Sequence, residues 1–274
     1  MAEERMAYPL AYGYSLVGRV TRCGSNVADK DELVGRLVFT FSPHASHALV
    51  DRDSLYLVPE GITPEDAIFM PSVETALSLV HDAHVRFGET VAVYGQGLIG
   101  LLVTSILGLQ NGPIGGGGFG TITAFDTLQD RLAVAAAMGA TQALHPTEAH
   151  EAGPFDVSIE ISGNGRALQS AIDNTRNGGR IIVGSWYGNS DIVLRLNIEF
   201  HRSHKSIKTS QVSEIPAELK TIWTKERRFE LTWELVNLLR PSRLISSRMT
   251  LAQAQEAYDS LDQGKEISVA FIYN

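Results

Sequence analysis

The residues best suited to chemistry form the run Gly95-Gln96-Gly97-Leu98-Ile99-Gly100, which follows the apolar stretch Val91-Ala92-Val93-Tyr94. The stretch reads as a strand, the glycines as a tight turn and Ile99–Leu109 as a helix. Gly95 permits the turn, Gly97 lets backbone approach a pyrophosphate, and Gly100 lets the helix pack against the strand. An anion bound there lies on the amides and positive dipole end of the helix. Such a turn alone is weak evidence, but strand, turn and helix occur here in the required order. The next strand, Ile122–Phe125, ends at Asp126. A carboxylate at that point accepts both hydroxyls of an adenosine ribose and repels a 2′-phosphate. Thr127 follows, and the nearest arginine, Arg131, stands a helical turn further on. The expected ligand is a dinucleotide, NAD(H) rather than NADP(H).

Six of the eight histidines are paired at i, i+3: His44 with His47, His81 with His84, His201 with His204. On a helix such a pair shares a face and can hold a metal. For His81-Asp82-Ala83-His84 the favoured reading is a partly solvated helix face. The polar, basic run His201-Arg202-Ser203-His204-Lys205 reads as a surface loop or a phosphate contact rather than a zinc site.

These residues need a frame. With 274 residues, 44% hydrophobic and 20% charged, the chain can bury a sizeable core in one large or two modest domains. A net charge of -8, with no basic run longer than Lys225-Glu226-Arg227-Arg228, argues against nucleic acid as a main partner. The single cysteine, Cys23, excludes an internal disulfide framework and a cysteine-based zinc cage. No uninterrupted apolar run reaches membrane-spanning length and no apolar signal core opens the chain, so a cytoplasmic protein without a membrane partner is expected.

Up to about residue 60 the texture is that of short strands and turns, with Tyr14–Val20 and Arg36–Phe41 rich in β-formers. Thr63-Pro64-Glu65-Asp66 carries a helix start, and a helix is expected over Val73–Val85. Strands and helices then alternate: Val91–Tyr94, Ile99–Leu109, Ile122–Phe125, Gln129–Met138, Val157–Ile161, Ala167–Thr175 and Arg180–Gly184. That spacing implies right-handed crossovers and a parallel sheet, hence an α/β, doubly wound Rossmann fold. Helices over Leu231–Leu239 and Ala252–Leu261 and a strand over Ser268–Tyr273 are expected to return to the front β unit. Gly112–Gly120 reads as a flexible insertion, since a strand and not a helix follows it.

The combination resembles the medium-chain dehydrogenase/reductase superfamily over nearly the whole chain. Besides the glycine turn and Asp126, the likeness lies in Asp130-Arg131-Leu132-Ala133, Met138-Gly139-Ala140, Ile159-Glu160-Ile161-Ser162-Gly163, Gly178-Gly179-Arg180-Ile181-Ile182-Val183-Gly184 and the segment from Leu251 to Ala257-Tyr258. Within the superfamily it looks most like the zinc-poor branch that includes bacteriochlorophyllide hydroxyethyl dehydrogenases. The segment from Phe200-His201-Arg202 to Ser210-Gln211-Val212-Ser213 is similar to members of that branch. The resemblance implies a partial GroES-like catalytic domain over 1–72 and 211–274 around a Rossmann domain over 73–210. It places Gly97, Leu98 and Ile99 on the pyrophosphate and Asp126 on the adenosine ribose. Ile161, Ser162, Val183, Gly184, Ser185 and Ser210 would line the nicotinamide half, and Phe41 would wall the substrate pocket.

The departures carry weight too. Family members usually begin with a longer β segment bearing the first zinc cysteine, and this chain is expected to start after it. Where relatives carry Gly-His-Glu there stands Gly13-Tyr14-Ser15; a later ligand position falls near Met70-Pro71; and Pro43-His44-Ala45-Ser46-His47 replaces the structural-zinc loop. No zinc is expected. His44, or His47 beside it, can shuttle a proton near neutral pH, and Tyr14 can donate one to a carbonyl. The implied activity is NAD(H)-dependent hydride transfer between nicotinamide and a carbonyl or secondary alcohol. The alternatives are an NADPH-dependent enoyl or quinone reductase, which Asp126 disfavours, and a cofactor-binding protein with little catalysis. A homodimer is expected through an edge strand over Ile192-Val193-Leu194-Arg195-Leu196.

Overall fold

A computed structural model describes residues 10–109 and 120–273. Most of the glycine-rich stretch, residues 112–119, lies outside them. Among the described residues the strands are β1 (Leu16–Arg19), β2 (Leu37–Thr40), β3 (Tyr56–Leu57), β4 (Val91–Tyr94), β5 (Ile122–Phe125), β6 (Gln142–Leu144), β7 (Phe155–Glu160), β8 (Thr175–Val183), β9 (Ser206–Thr209), β10 (Ser247–Met249) and β11 (Val269–Phe271). The chain divides into two compact units, residues 1–71 with 236–274, and residues 72–235.

The first unit holds an antiparallel sheet in the order β1-β2-β3 and the parallel pair β10-β11. Its two chain segments are joined by polar contacts. Thr63 caps the short helix Pro64–Ala67, accepting from the Asp66 N–H at 3.1 Å, with Pro64 at the first helical position. Asp66 in turn accepts the N–H of Ser242 at 2.9 Å, and Arg240 donates to the carbonyl of Gly61 at 2.8 Å. This is the expected return of the C-terminal segment to the front β unit. It begins at residue 236 rather than 211.

The intervening segment stays with the second unit because a buried ion pair holds it there. Arg228 on helix Lys225–Leu239 donates to Glu74 at 2.9 Å and to the carbonyls of Val212 and Glu214. The ring of Trp223 lies 4.4 Å from that of His81 on helix Met70–Ala83, tilted by 56°. His81 is half-buried against the aromatic ring and His84 is exposed, the partly solvated face that the spacing suggested. Desolvation by that burial drives its pKa down to about 4.

The second unit is the expected α/β layer: one six-stranded, all-parallel sheet in the order β6-β5-β4-β7-β8-β9. From β4 the chain winds outward through β5 to β6, then returns to the other side of β4 and winds through β7 and β8 to β9. The reversal lies between β4 and β7, where a doubly wound sheet opens a crevice at its carboxyl edge. All four residues of β4 and of β5 are buried, as strands covered on both faces must be. Helix Leu98–Leu109 is buried continuously from Gly100 to Leu107, as a predominantly apolar helix covered on every side must be. A core of Tyr94, Phe125, Phe155, Leu168, Ile172 and Ile181 lies under the β4–β7 region, with Tyr94 stacked on Phe125 at 4.8 Å.

The expected edge strand over 192–196 is not a strand. Ile192 and Leu194 pack onto the core while Val193 and Leu196 face outward, and among the described residues no partner strand pairs with them. The sheet ends instead at β9, a four-residue strand whose polar residues Ser206, Lys208 and Thr209 gave no strand signal in the sequence.

Candidate functional site

At the reversal point the glycine turn is built as its spacing requires. Gly95 has φ +95, and its N–H donates to Phe125 at 2.8 Å. A side chain there would meet the backbone of Ser162 at 2.7 Å. At Gly100 a Cβ would fall 1.8 Å from the carbonyl oxygen of Gly95, so the helix and the strand end touch through glycine alone. Gly97 differs: a Cβ would meet nothing nearer than Nη1 of Arg131, at 3.9 Å. The space above Gly97 is thus open and is bordered by a guanidinium. Leu98 and Ile99 open the helix, whose first-turn amides have no partner within it. An open glycine, a cation and a helix start form a cradle that fits a pyrophosphate.

Asp126 lies at the end of β5, largely buried, with each carboxylate oxygen engaged once by backbone. Oδ2 accepts the Gln96 N–H at 2.7 Å and Oδ1 the Leu128 N–H at 2.9 Å. A carboxylate has about four acceptor sites, which leaves lone pairs for two ribose hydroxyls. The first of these bonds ties the acid directly to the turn. The Gln96 side chain, fully buried, braces the turn from beneath: Nε2 donates to the Val93 carbonyl at 3.1 Å and Oε1 accepts from Thr104 at 3.0 Å. The sequence pattern treats this position as free, so the brace was not foreseen.

On the opposite side of β4, the ends of β7 and β8 bring together Ile161, Ser162, Val183, Gly184 and Ser185. Ile161 N–H donates to Tyr94, and Gly184 N–H to the Glu160 carbonyl. Ser185 accepts the Gly163 N–H at 2.8 Å. Ser210 follows β9, its N–H bonded to Val183, but its hydroxyl donates to Asp82 at 2.7 Å. Asp82 also pairs with Lys208 at 2.8 Å. Two residues absent from the sequence expectation complete this end. Glu160 is fully buried and accepts the N–H and hydroxyl of Ser162 at 2.8 and 2.6 Å, and also the Tyr187 hydroxyl. Burial, with Glu160 alongside, pushes the Tyr187 phenol pKa well up. An acid between Ile159 and Ile161 in an apolar strand was the visible signal; its partner Tyr187 lies far along the chain.

The first unit carries the expected proton donors. His44 is half-buried, stands edge-on to Phe271 at 5.0 Å and packs so closely on Gly13 that a Cβ there would lie 2.9 Å away. Burial lowers the His44 pKa, which keeps the imidazole neutral at pH 7. Tyr14, next to Gly13, is 60% exposed, and Phe41 is half exposed with its ring edge-on to Phe39. His47 is exposed beside Ser46. Among the described residues no group of three or more His, Cys, Asp or Glu lies together as it would around a metal ion. No helix is long and apolar enough to cross a membrane, among the described residues.

The chain is similar to several known proteins. Residues 116–225 match the family described as Zinc-binding dehydrogenase. The chain is 28% identical to D-guloside 3-dehydrogenase of Escherichia coli (strain K12), an alignment covering 94% of this chain and 75% of that protein. Its fold is similar to that of an alcohol dehydrogenase from Escherichia coli CFT073 complexed with NADH, with a TM-score of 0.73 at 17% identity over 94% and 83% of the two chains. It is also similar to a structure from Sinorhizobium meliloti 1021 bound to NADP, with a TM-score of 0.72 at 19% identity over 98% and 82%. The chain is thus similar in sequence over residues 116–225 to zinc-binding dehydrogenases, and similar in fold to alcohol dehydrogenases.

Proposed function

We propose that the chain is an NAD(H)-dependent oxidoreductase that moves hydride between nicotinamide and a carbonyl or secondary alcohol, without a catalytic zinc. The observation that carries this reading is the coupling of the open Gly97 cradle to Asp126 through the Gln96 N–H. Gly97, Leu98, Ile99 and Arg131 would hold the pyrophosphate, with Gly95 and Gly100 shaping the turn. Asp126 would take the adenosine ribose and, being anionic and buried, would reject a 2′-phosphate. Ile161, Ser162, Val183, Gly184, Ser185 and Ser210 would line the nicotinamide half. When bound, the nicotinamide supplies the hydride. His44 or Tyr14 would carry the alcohol proton, and Phe41 would contribute to the substrate pocket. In this reading hydrogen bonds polarise the carbonyl, which is supported by the lack of a cluster of three or more His, Cys, Asp or Glu among the described residues. The relatives' names favour a secondary alcohol of the sugar type as substrate. The zinc-poor branch of the superfamily, a cytoplasmic location and a homodimer belong to the same proposal. Exposed Val193 and Leu196 support the dimer.

The test is hydride transfer followed at the nicotinamide absorbance with a panel of secondary alcohols and ketones, before and after dialysis against a chelator. Turnover that survives chelation is expected. Turnover abolished by chelation and restored by zinc would overturn the zinc-free part, and reduction of enones or quinones with NADPH alone would favour the reductase alternative. A monomeric mass in solution at micromolar concentration would sink the dimer.

A further inference from the structure

Glu160 is fully buried, and its hydrogen bonds come from neutral groups alone: the Ser162 N–H, the Ser162 hydroxyl and the Tyr187 hydroxyl. Among the described residues no lysine, arginine or histidine forms an ion pair with it, whereas Asp66 and Asp82 are paired with Arg240 and Lys208, and the buried Asp126 accepts backbone amides beside the glycine turn. Three donors directed at two oxygens are the partners of an ionised carboxylate, which is acceptor-only. A buried anion without a counter-charge is costly unless something cationic is held nearby.

Its place in the fold supplies the candidate. The turn at Gly95–Gly100 receives the pyrophosphate and Asp126 on β5 takes the adenosine side, so the second mononucleotide half must extend the other way, over the ends of β7 and β8. Glu160 is the last residue of β7, and Ser162, which it anchors, abuts Gly95. The nicotinamide ring is cationic when oxidised and neutral when reduced. Every neutral contact at that end serves both forms alike; a fixed anion does not.

We propose that the buried carboxylate of Glu160 sets the redox preference of the cofactor, favouring NAD+ over NADH. This rests on the reading of the second unit as an NAD(H) site. Opposite unit charges about 10 Å apart in a protein interior of effective dielectric about 20 correspond to roughly tenfold in affinity.

The test measures dissociation constants of NAD+ by calorimetry and of NADH by nicotinamide fluorescence, in the wild type, Glu160→Gln and Tyr187→Phe. Glutamine keeps the shape and one acceptor but removes the charge. The expected result is an NAD+ affinity lowered roughly tenfold in Glu160→Gln, with NADH affinity changed by less than about twofold. Tyr187→Phe keeps the charge and removes one donor, so the preference for NAD+ should rise by about twofold or more. That variant decides the matter should Glu160→Gln not fold. Equal changes for both nucleotides would reduce Glu160 to a scaffold and overturn the inference while leaving the cofactor site intact. Failure of the wild type to bind either nucleotide would overturn the cofactor reading itself.

Discussion

Replacing Gly97 by alanine separates binding from folding. The added methyl group would lie 3.9 Å from its nearest protein neighbour, an ordinary van der Waals distance, and Gly97 is not among the residues with positive φ. Folding should therefore be unharmed. Loss of a glycine's freedom in the unfolded chain stabilises by about 0.4–1 kcal/mol where the native backbone is compatible. The same methyl fills the space through which a pyrophosphate must approach the amides of the turn. Holding the phosphates off costs at least about 1.4 kcal/mol, a tenfold loss of affinity. Gly100→Ala is the counterpart: a methyl 1.8 Å from the Gly95 carbonyl oxygen forces backbone apart and should destabilise by about 3 kcal/mol or more. The assay is urea denaturation alongside a fluorescence titration with NADH. Gly97→Ala should keep or raise the midpoint and lose binding, whereas Gly100→Ala should lose stability. Undiminished NADH binding by a folded Gly97→Ala protein would refute the pyrophosphate cradle.

Two further outcomes concern stability. Arg228→Met leaves Glu74 buried without its partner and frees the carbonyls of Val212 and Glu214, which should cost about 3–5 kcal/mol in denaturant unfolding; a change below about 1 kcal/mol would contradict the role given to this pair in holding 211–235. His81 is held neutral, with its pKa lowered to about 4 from 6.5 in the unfolded chain. The unfolded state binds more protons between these values, so its stabilisation is complete above pH 6.5 and is lost as pH falls toward 4. Partial exposure screens the effect, and a loss of about 2 kcal/mol is expected across that window. His81→Gln should flatten the profile there, and a variant that tracks the wild type would show that another group titrates.

The glycine turn and the strands around it were legible because local signals agree: an apolar strand, glycines at fixed offsets and an apolar helix within twenty residues. Asp126 was legible despite the long spacing because it closes a strand. Short strands were not. The three residues of β6 and the four of β9 are held by neighbours in the sheet rather than by their own composition. The stretch 192–196 shows the converse: its apolar residues read as a strand, yet Ile192 and Leu194 serve as core contacts of an irregular segment. The grouping of 211–235 with the second compact unit was not legible, because the Arg228–Glu74 pair that ties it there joins residues 154 apart. Glu160 and Tyr187, and the bracing of the turn by Gln96 and Thr104, are likewise products of the folded sheet. For His44, Tyr14 and Phe41 the sequence offered positions only; the fold adds the half-burial and neutrality of His44 and leaves Tyr14 exposed.

The most direct test of the cofactor site is a pair of titrations, NADH and NADPH into the wild type and into Asp126→Ala, followed by nicotinamide fluorescence. The wild type should bind NADH more tightly than NADPH. The variant should lose about 1.5–3 kcal/mol for NADH, since its ribose hydrogen bonds go to a charged group, and should relax its discrimination against NADPH. NADH affinity unchanged in a folded Asp126→Ala protein, or a wild type that prefers NADPH, would contradict the assignment.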